Sequence, residues 1–326
     1  MQRAKFMASF CAALLMALNS AGATESAKHN DMNGDGRSDL LWRNATTGAM
    51  VYWTSANSAS AAAISVKPST PGGSYDPRAW APVYAMSDLW GNPELDMLMV
   101  RSVSGHVQQG LWPGGGSYWF STTADGFADG AAAHGDFNGD GAADLLYRDP
   151  QSGKGYIVLD VLLRDWGSTY MAVPTLAPAW TVADTGDFDG DGSSDLLWRN
   201  ITTGQNAIWR SGNSATQLYI APVNPDWKIV AVGDFDGDGR SDIFWRNVRT
   251  GADVIWRSGN GLTREAAASV TDLHWNIVST GDFDGDGRWD VVWRHATTGA
   301  NVMWKSASYA SRVVLRTVSL DWSPLM

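Results

Sequence analysis

The chain is nearly without cysteine. Of 326 residues only Cys11 is one, so no disulfide can staple the fold and no paired-thiol chemistry is available. Histidine is almost as scarce: His29, His106, His134, His274 and His295 are the whole set. None stands in a constellation with a nucleophile, and both the GxSxG elbow and the HExxH helix are missing. Positive charge is short too, with 24 Lys and Arg against 34 Asp and Glu and a net charge of −10. That balance excludes the basic face that nucleic acid needs and argues against anionic membrane surfaces. The apolar residues lack helical periodicity, and beyond residue 23 no run is long and apolar enough for a membrane helix.

The first 23 residues read as a secretory signal peptide. Met1 to Lys5 carries Arg3 and Lys5, Phe6 to Leu18 is an apolar stretch, and Ala21-Gly22-Ala23 offers a small-x-small cleavage site. The mature protein is therefore expected to be exported, to an extracellular or periplasmic space, without membrane insertion. It loses two basic residues on processing, so its charge becomes −12.

What the chain has in abundance is one loop. "GDFDGDGSSDLLWRN" begins at Gly186, and close copies begin at Gly135, Gly233 and Gly281. A shorter copy begins at Asn30 and a worn one, "SDLWGNPELDMLMVR", at Ser87. Counted from the first aspartate, the copies start at 31, 88, 136, 187, 234 and 282, spaced by 57, 48, 51, 47 and 48 residues. A period of that size marks a repeat architecture. Within one repeat, "DWKIVAVGDF" reads as a strand, "DIFWRN" as a second, "ADVIWRSG" as a third and "LTREAAASV" as a weaker fourth, with the turn "VRTG" between the second and third. Four short strands per repeat describe a blade of a β-propeller. Runs such as "DLLW" and "DVVW" lack the alternation of a half-exposed strand, as expected if neighbouring blades cover both faces.

The expected fold is thus all-β: a propeller of six four-stranded blades, or alternatively seven, forming one domain over residues 24–326. The first copy has Thr24 where others have tryptophan, while the chain ends "LDWSPLM", with Trp322 in a context like "PDWKIV". The two terminal segments are therefore expected to pair and close the ring, removing free sheet edges.

Tryptophan recurs at fixed offsets from the first aspartate: seven before (Trp180, Trp227, Trp275), eleven after (Trp42, Trp198, Trp245, Trp293) and twenty-two after (Trp53, Trp209, Trp256, Trp304). Large rings at the same place in each blade fill the space between sheets. Trp90, Trp119, Trp166 and Trp289 fall outside the pattern and are the candidates for a ligand surface.

The aspartates point to a metal. Numbered from the first one, carboxylates or carboxamides occupy positions 1, 3, 5 and 9, glycines occupy 4 and 6, and position 7 varies. The expected ligand sets are Asp31, Asn33, Asp35, Arg37 and Asp39; Asp136, Asn138, Asp140, Ala142 and Asp144; Asp187, Asp189, Asp191, Ser193 and Asp195; Asp234, Asp236, Asp238, Arg240 and Asp242; and Asp282, Asp284, Asp286, Arg288 and Asp290. The residue at position 7 would contribute its backbone carbonyl, which leaves its side chain free to vary. Calcium takes six to eight such oxygens, glycines let the backbone curl through positive φ, and without a cation the carboxylates would repel. The lack of His and Cys disfavours zinc. About five calcium ions are expected. The worn copy has Trp90 at position 3 and Pro93 at position 6 and is expected to hold none.

These repeats resemble the FG-GAP/VCBS family of calcium-binding β-propeller repeats, related to the propeller of integrin α chains. The D-x-[DN]-x-D-G-x-x-D loop followed by W-R-N and T-G carries the resemblance. It implies that the loop joins two strands of a blade and binds calcium there. The function expected is a secreted calcium-binding propeller acting as a binding or adhesion module for glycan or protein ligands, without enzyme activity. The alternative is a propeller-based lyase or hydrolase acting on polysaccharide. The repeated Arg43, Arg148, Arg199, Arg246 and Arg294 are expected to pair with nearby carboxylates.

Overall fold

A computed structural model describes residues 30–64, 131–141, 143–159 and 169–324, and the backbone of four strands between 81 and 123. The signal-peptide assignment, Ala142, and the candidates Trp90, Trp119 and Trp166 lie outside the described residues. In chain order the strands are β1 (Leu40–Asn44), β2 (Met50–Trp53), β3 (Ala61–Ile64), β4 (Ala81–Met86), β5 (Asp96–Val103), β6 (His106–Trp112), β7 (Ser121–Thr123) and β8 (Ala131–Gly135). They continue with β9 (Asp144–Arg148), β10 (Gly155–Val158), β11 (Tyr170–Val173), β12 (Trp180–Gly186), β13 (Asp195–Asn200), β14 (Asn206–Trp209), β15 (Leu218–Ile220) and β16 (Trp227–Gly233). The last are β17 (Asp242–Asn247), β18 (Asp253–Trp256), β19 (Arg264–Ala267), β20 (Trp275–Gly281), β21 (Asp290–His295), β22 (Asn301–Trp304), β23 (Arg312–Leu315) and β24 (Trp322–Pro324).

Each group of four forms an antiparallel meander, β8 to β11, β12 to β15, β16 to β19 and β20 to β23, with β4 to β7 alike and β24 completing a sheet with β1 to β3. In this repeat the first strand lies innermost: β12 touches both β8 and β16, and β16 touches β20. That strand carries a bulge at the same place in every meander, between Val182 and Asp184, Ile229 and Ala231, or Ile277 and Ser279. A bulge adds local twist.

Packing follows the strand alternation. On β13, Leu196 and Trp198 face Phe137, Leu146 and Ile157 of the preceding sheet. The intervening Leu197 faces Val232, Ile243 and Trp245 of the following one. Both faces of the strand are buried, which is why the sequence reads as a continuous apolar run. The pattern repeats between the β16–β19 and β20–β23 sheets, where Phe235 and Phe244 meet Val291 and Trp293. It repeats again between β20–β23 and the first sheet, where Phe283 and Val292 meet Leu40 and Trp42. The tryptophans at offsets eleven and twenty-two lie against each other inside each blade: Trp42 on Trp53, Trp198 on Trp209, Trp245 on Trp256 and Trp293 on Trp304, at 4.8 to 5.0 Å between centroids. These periodic rings are core.

The expected blade count needs correction. Among the described residues the packed stack runs β8–β11, β12–β15, β16–β19, β20–β23, then β24 with β1–β3. That is a propeller of five blades, in place of the six, or seven, expected from counting loop copies. The β4–β7 meander belongs to the worn copy and is described by its backbone pairing alone. The expected closure is corrected with it. Strand β24 pairs with β1 at three positions, Trp42 with Pro324 through Asn44 with Trp322. This supplies the missing inner strand of one sheet; it is sheet completion within a blade, and among the described residues no hydrophobic cluster joins that blade to β8–β11. A ring is closed by face packing, which edge pairing of the termini does not provide.

Candidate metal-binding rim

Each acidic loop leads into the second strand of its blade, and in four of the five it joins that strand to the first; its carboxylates are held by backbone amides. The position 1 aspartate accepts three of them. In Asp187, Oδ1 accepts from the N–H of Gly190 (2.6 Å) and Asp191 (3.2 Å), and Oδ2 from Gly192 (2.9 Å). Asp31, Asp136, Asp234 and Asp282 do the same in their own loops. Both glycines take positive φ, 78° at Gly190 and 87° at Gly192, a conformation that a Cβ would strain. The spacing of aspartate and glycine in the sequence is thus the geometry of one tight curl.

The position 9 aspartate is wholly buried, as in Asp39, Asp144, Asp195, Asp242 and Asp290. Its Oδ2 accepts from the N–H of position 2, for example Phe188 at 2.9 Å and Phe283 at 3.1 Å. Oδ1 accepts from a serine just after the third strand: Ser55, Ser211, Ser258 and Ser306, at 2.7 to 2.9 Å. Burial pushes the carboxyls of Asp39, Asp195 and Asp290 up to about 7, against the pull of those amides. Asp242 rises to about 6, where the paired Arg257 joins the amides in opposing burial. Burial also raises Asp136, Asp187, Asp234 and Asp282, again against their amides. Carboxyls raised this way are ones that a nearby cation would return to the ionised form.

Three loops gather their carboxylates most tightly. Positions 1, 3 and 9 bring an oxygen each to within 4.8 Å of one another in Asp187, Asp189 and Asp195; in Asp234, Asp236 and Asp242; and in Asp282, Asp284 and Asp290. The position 5 carboxylates stand outside that grouping, each accepting from the N–H of position 7: Asp35 from Arg37, Asp191 from Ser193, Asp238 from Arg240 and Asp286 from Arg288. In the two loops with asparagine, Asn33 and Asn138 donate to Asp35 (3.1 Å) and Asp140 (2.8 Å). The donor set is all oxygen, and Asp189 Oδ1 is buried without a hydrogen-bond partner. These features fit a hard divalent cation.

The loops also touch one another, which sequence reasoning missed. In four loops the position 8 N–H donates to the position 1 carbonyl of the preceding one: Ser194 to Asp136 (2.6 Å), Ser241 to Asp187 (2.6 Å), Trp289 to Asp234 (2.7 Å) and Ser38 to Asp282 (2.8 Å). Five loops form one hydrogen-bonded belt. The position 7 side chains, expected to be unconstrained, reach across it. Arg240 lies against Gly190, Arg288 against Gly237 and Arg37 against Gly285, where even a methyl group would meet the arginine at 3.3, 3.1 and 2.8 Å. The glycine before each loop makes room for the position 8 side chain of the next. At Gly233 that neighbour is Trp289, whose ring would overlap an added Cβ. Trp289 also packs, half-buried, on the core between two blades. Of the four stray tryptophans it is the one described, and its place is between blades.

The opposite end of each blade is closed by capped turns and internal pairs. Asn200 Oδ1 caps the turn by accepting from Thr202 (3.0 Å) and Thr203 (2.9 Å), and Asn44 and Asn247 act alike. The expected pairing of the repeated arginines with carboxylates holds for Arg246, which binds Asp253 at 2.8 Å. Arg199 and Arg294 instead donate to backbone carbonyls and to the amides of Asn206 and Asn301. Each lies over the tryptophan of the next blade: Arg148 on Trp198, Arg199 on Trp245, Arg246 on Trp293 and Arg294 on Trp42, at 4.9 to 5.6 Å. A buried guanidinium whose fork is filled by carbonyls needs no carboxylate, and stacking on a ring adds to it.

At this end the last blade replaces asparagine by His295. Its Nδ1 accepts from the N–H of Thr297 and Thr298 (both 3.3 Å), so Nε2 carries the proton and donates to Asp272 (3.1 Å). His274 donates to the other oxygen of Asp272 at 2.8 Å. The trio brings ligand-type atoms within 4.8 Å of each other, but a metal on Nε2 would require a proton on Nδ1, where two backbone donors already point. It is a hydrogen-bonded turn.

A family model for an FG-GAP-like repeat matches residues 187–245 and 234–293. No curated protein matches the chain. Among solved structures, a crystal structure of a protein from Lactobacillus plantarum is similar at a TM-score of 0.47 and 9% identity, over 87% of this chain and 82% of that one.

Proposed function

We propose, from the premise that residues 187–293 are FG-GAP-like repeats, that this chain is an exported propeller whose acidic rim is braced by calcium and whose surface serves as a binding module for a glycan or a protein. The observation that carries the reading is the belt: five oxygen-lined loops, joined by backbone hydrogen bonds, with position 9 carboxyls raised by burial. Position 1, 3, 5 and 9 side chains would hold the ion, with the position 7 carbonyl. The ion would supply the positive charge that these carboxylates lack, and thereby fix the five curls relative to one another.

A rim held rigid in this way is a platform for recognition, because little conformational entropy remains to be lost on binding. The outer strands add apolar side chains open to solvent, among them Tyr170, Tyr219 and Val314, at 57%, 65% and 79% exposure. These support a partner surface on the outside of the blades. Export is supported by the basic, then apolar, then small-residue order of the first 23 residues, and by the abundance of calcium outside cells. The test is a glycan array and a pull-down with extracellular proteins, each run with calcium and with EGTA. Calcium-dependent binding supports the module; binding that survives EGTA with an unchanged melting curve refutes the bracing role.

A further inference from the structure

The five loops divide into two kinds, and the division is written twice in the chain. Loops with aspartate at position 3 are Asp189, Asp236 and Asp284; loops with asparagine there are Asn33 and Asn138. Twenty-three residues after the first aspartate, the three aspartate loops have Arg210, Arg257 and Lys305, and the two asparagine loops have Thr54 and Leu159. The structure shows what connects these distant positions. Arg210 Nε lies 3.1 Å from Asp189, and Lys305 Nζ 2.8 Å from Asp284. Arg257 lies 3.5 Å from Asp236 and 2.8 Å from Asp242. The extra carboxylate comes with an extra cation paired to it.

The cation is held by the backbone as well as by charge. The residue after it is Ser211, Ser258 or Ser306, at φ of 48 to 49°, and that serine's N–H is bonded to the position 9 aspartate of the same loop. The side chain is thereby anchored at the edge of the carboxylate cluster.

Resting on the calcium reading above, we propose that Arg210, Arg257 and Lys305 are tethered cations that occupy the three aspartate loops when metal is absent and that a divalent ion displaces. Each side chain shares carboxylate oxygens with the group that would bind the ion, so metal and side chain compete for them. The competition weakens the affinity of these three loops, and it also holds the empty loop in shape by offsetting repulsion. The asparagine loops have neither the fourth carboxylate nor the competitor, so calcium enters them without displacement.

The experiment is calorimetric titration of CaCl2 into the full chain, together with melting curves in EGTA and in calcium. The main variant combines Arg210→Met, Arg257→Met and Lys305→Met, which keep side-chain bulk and remove charge. Arg249→Met is the control for each single Arg or Lys to Met change: it removes one positive charge from an exposed pair with Asp226 at the turn end of a blade. The expected result is about two- to fivefold tighter calcium binding at three sites of the triple variant, a lower melting temperature in EGTA and an undiminished one in calcium, with the control unchanged. Thr54→Lys gives an independent reading, because it places a cation beside the loop of Asp31 and should weaken one site. Calcium bound by wild type with unchanged affinity in both variants overturns the competition alone. Weaker binding in the triple variant overturns it too, by making the cations supports for the metal. Absence of calcium binding by wild type overturns the calcium reading and this inference together.

Discussion

The two ends of a blade solve the same problem in opposite ways. At the turn end, polar groups meet partners within the protein: Asn200 caps its own turn, and Arg199 fills its fork with carbonyls and lies on Trp245. At the loop end, carboxylates converge and are satisfied only by amides and, in three loops, by one cation. One end is complete as folded, while the other is complete only with a positive partner. Stability that depends on solution conditions should therefore reside at the loop end.

The largest effect should come from metal removal. Each calcium site at 100-fold excess over its dissociation constant adds about 2.7 kcal/mol, so EGTA should lower the melting temperature strongly and calcium should restore it. A melting curve indifferent to both would abolish the contrast between the ends. Next is Arg246→Ala, at the turn end. It strands the buried Asp253, and breaking a buried pair costs about 3–5 kcal/mol. The loss should be the same in EGTA and in calcium; a loss confined to one condition would mean that the two ends are coupled.

Trp289→Ala should follow, at about 2 kcal/mol for a half-buried ring between blades, with binding of any proven ligand retained. Lost binding at unchanged stability would return Trp289 to the surface. Of similar size is the pH dependence of the metal-free protein. Asp39, Asp195 and Asp290 titrate at about 7 when folded, above the ordinary 3.8. The folded state thus holds protons that the unfolded state has released, so stability falls as pH rises from about 4 to 7 and levels off above. Denaturant titrations in EGTA should show that slope, and saturating calcium should remove or invert it. A flat profile in EGTA would mean that the carboxyls are already paired. The smallest effect is expected for Asp189→Ala: one ion fewer by metal analysis, with the EGTA melting curve nearly unmoved. Loss of several ions would show that the hydrogen-bonded belt binds metal as a unit.

Local facts were legible in the sequence because they repeat at fixed offsets. The four-strand meander, the Asp-Gly curl, the Gly-ended turn and the recurring tryptophans each arise within one copy. Relations between copies were not legible. The count of loop starts suggested six blades, yet the described packing stacks five, because a blade is defined by what covers its faces. Arg199 looked like a carboxylate partner because charge is visible in a sequence, whereas the carbonyls of Val223 and Trp227 that fill its fork are not. Trp289 looked anomalous beside Ser38, Ser194 and Ser241, but all four occupy the gap left by the preceding blade.

The sequence by itself determined the repeat, the all-β meander and the carboxylate loops, since each rests on residues within a few positions of one another and on backbone geometry that glycine favours. Only the tertiary structure decided which blades stack, that the loops join in a belt through Ser38, Ser194, Ser241 and Trp289, and that Arg210, Arg257 and Lys305 reach the carboxylates. Those contacts cross from one blade to the next, or from the end of the third strand back to the loop, and their energies depend on distances that spacing along a chain does not specify.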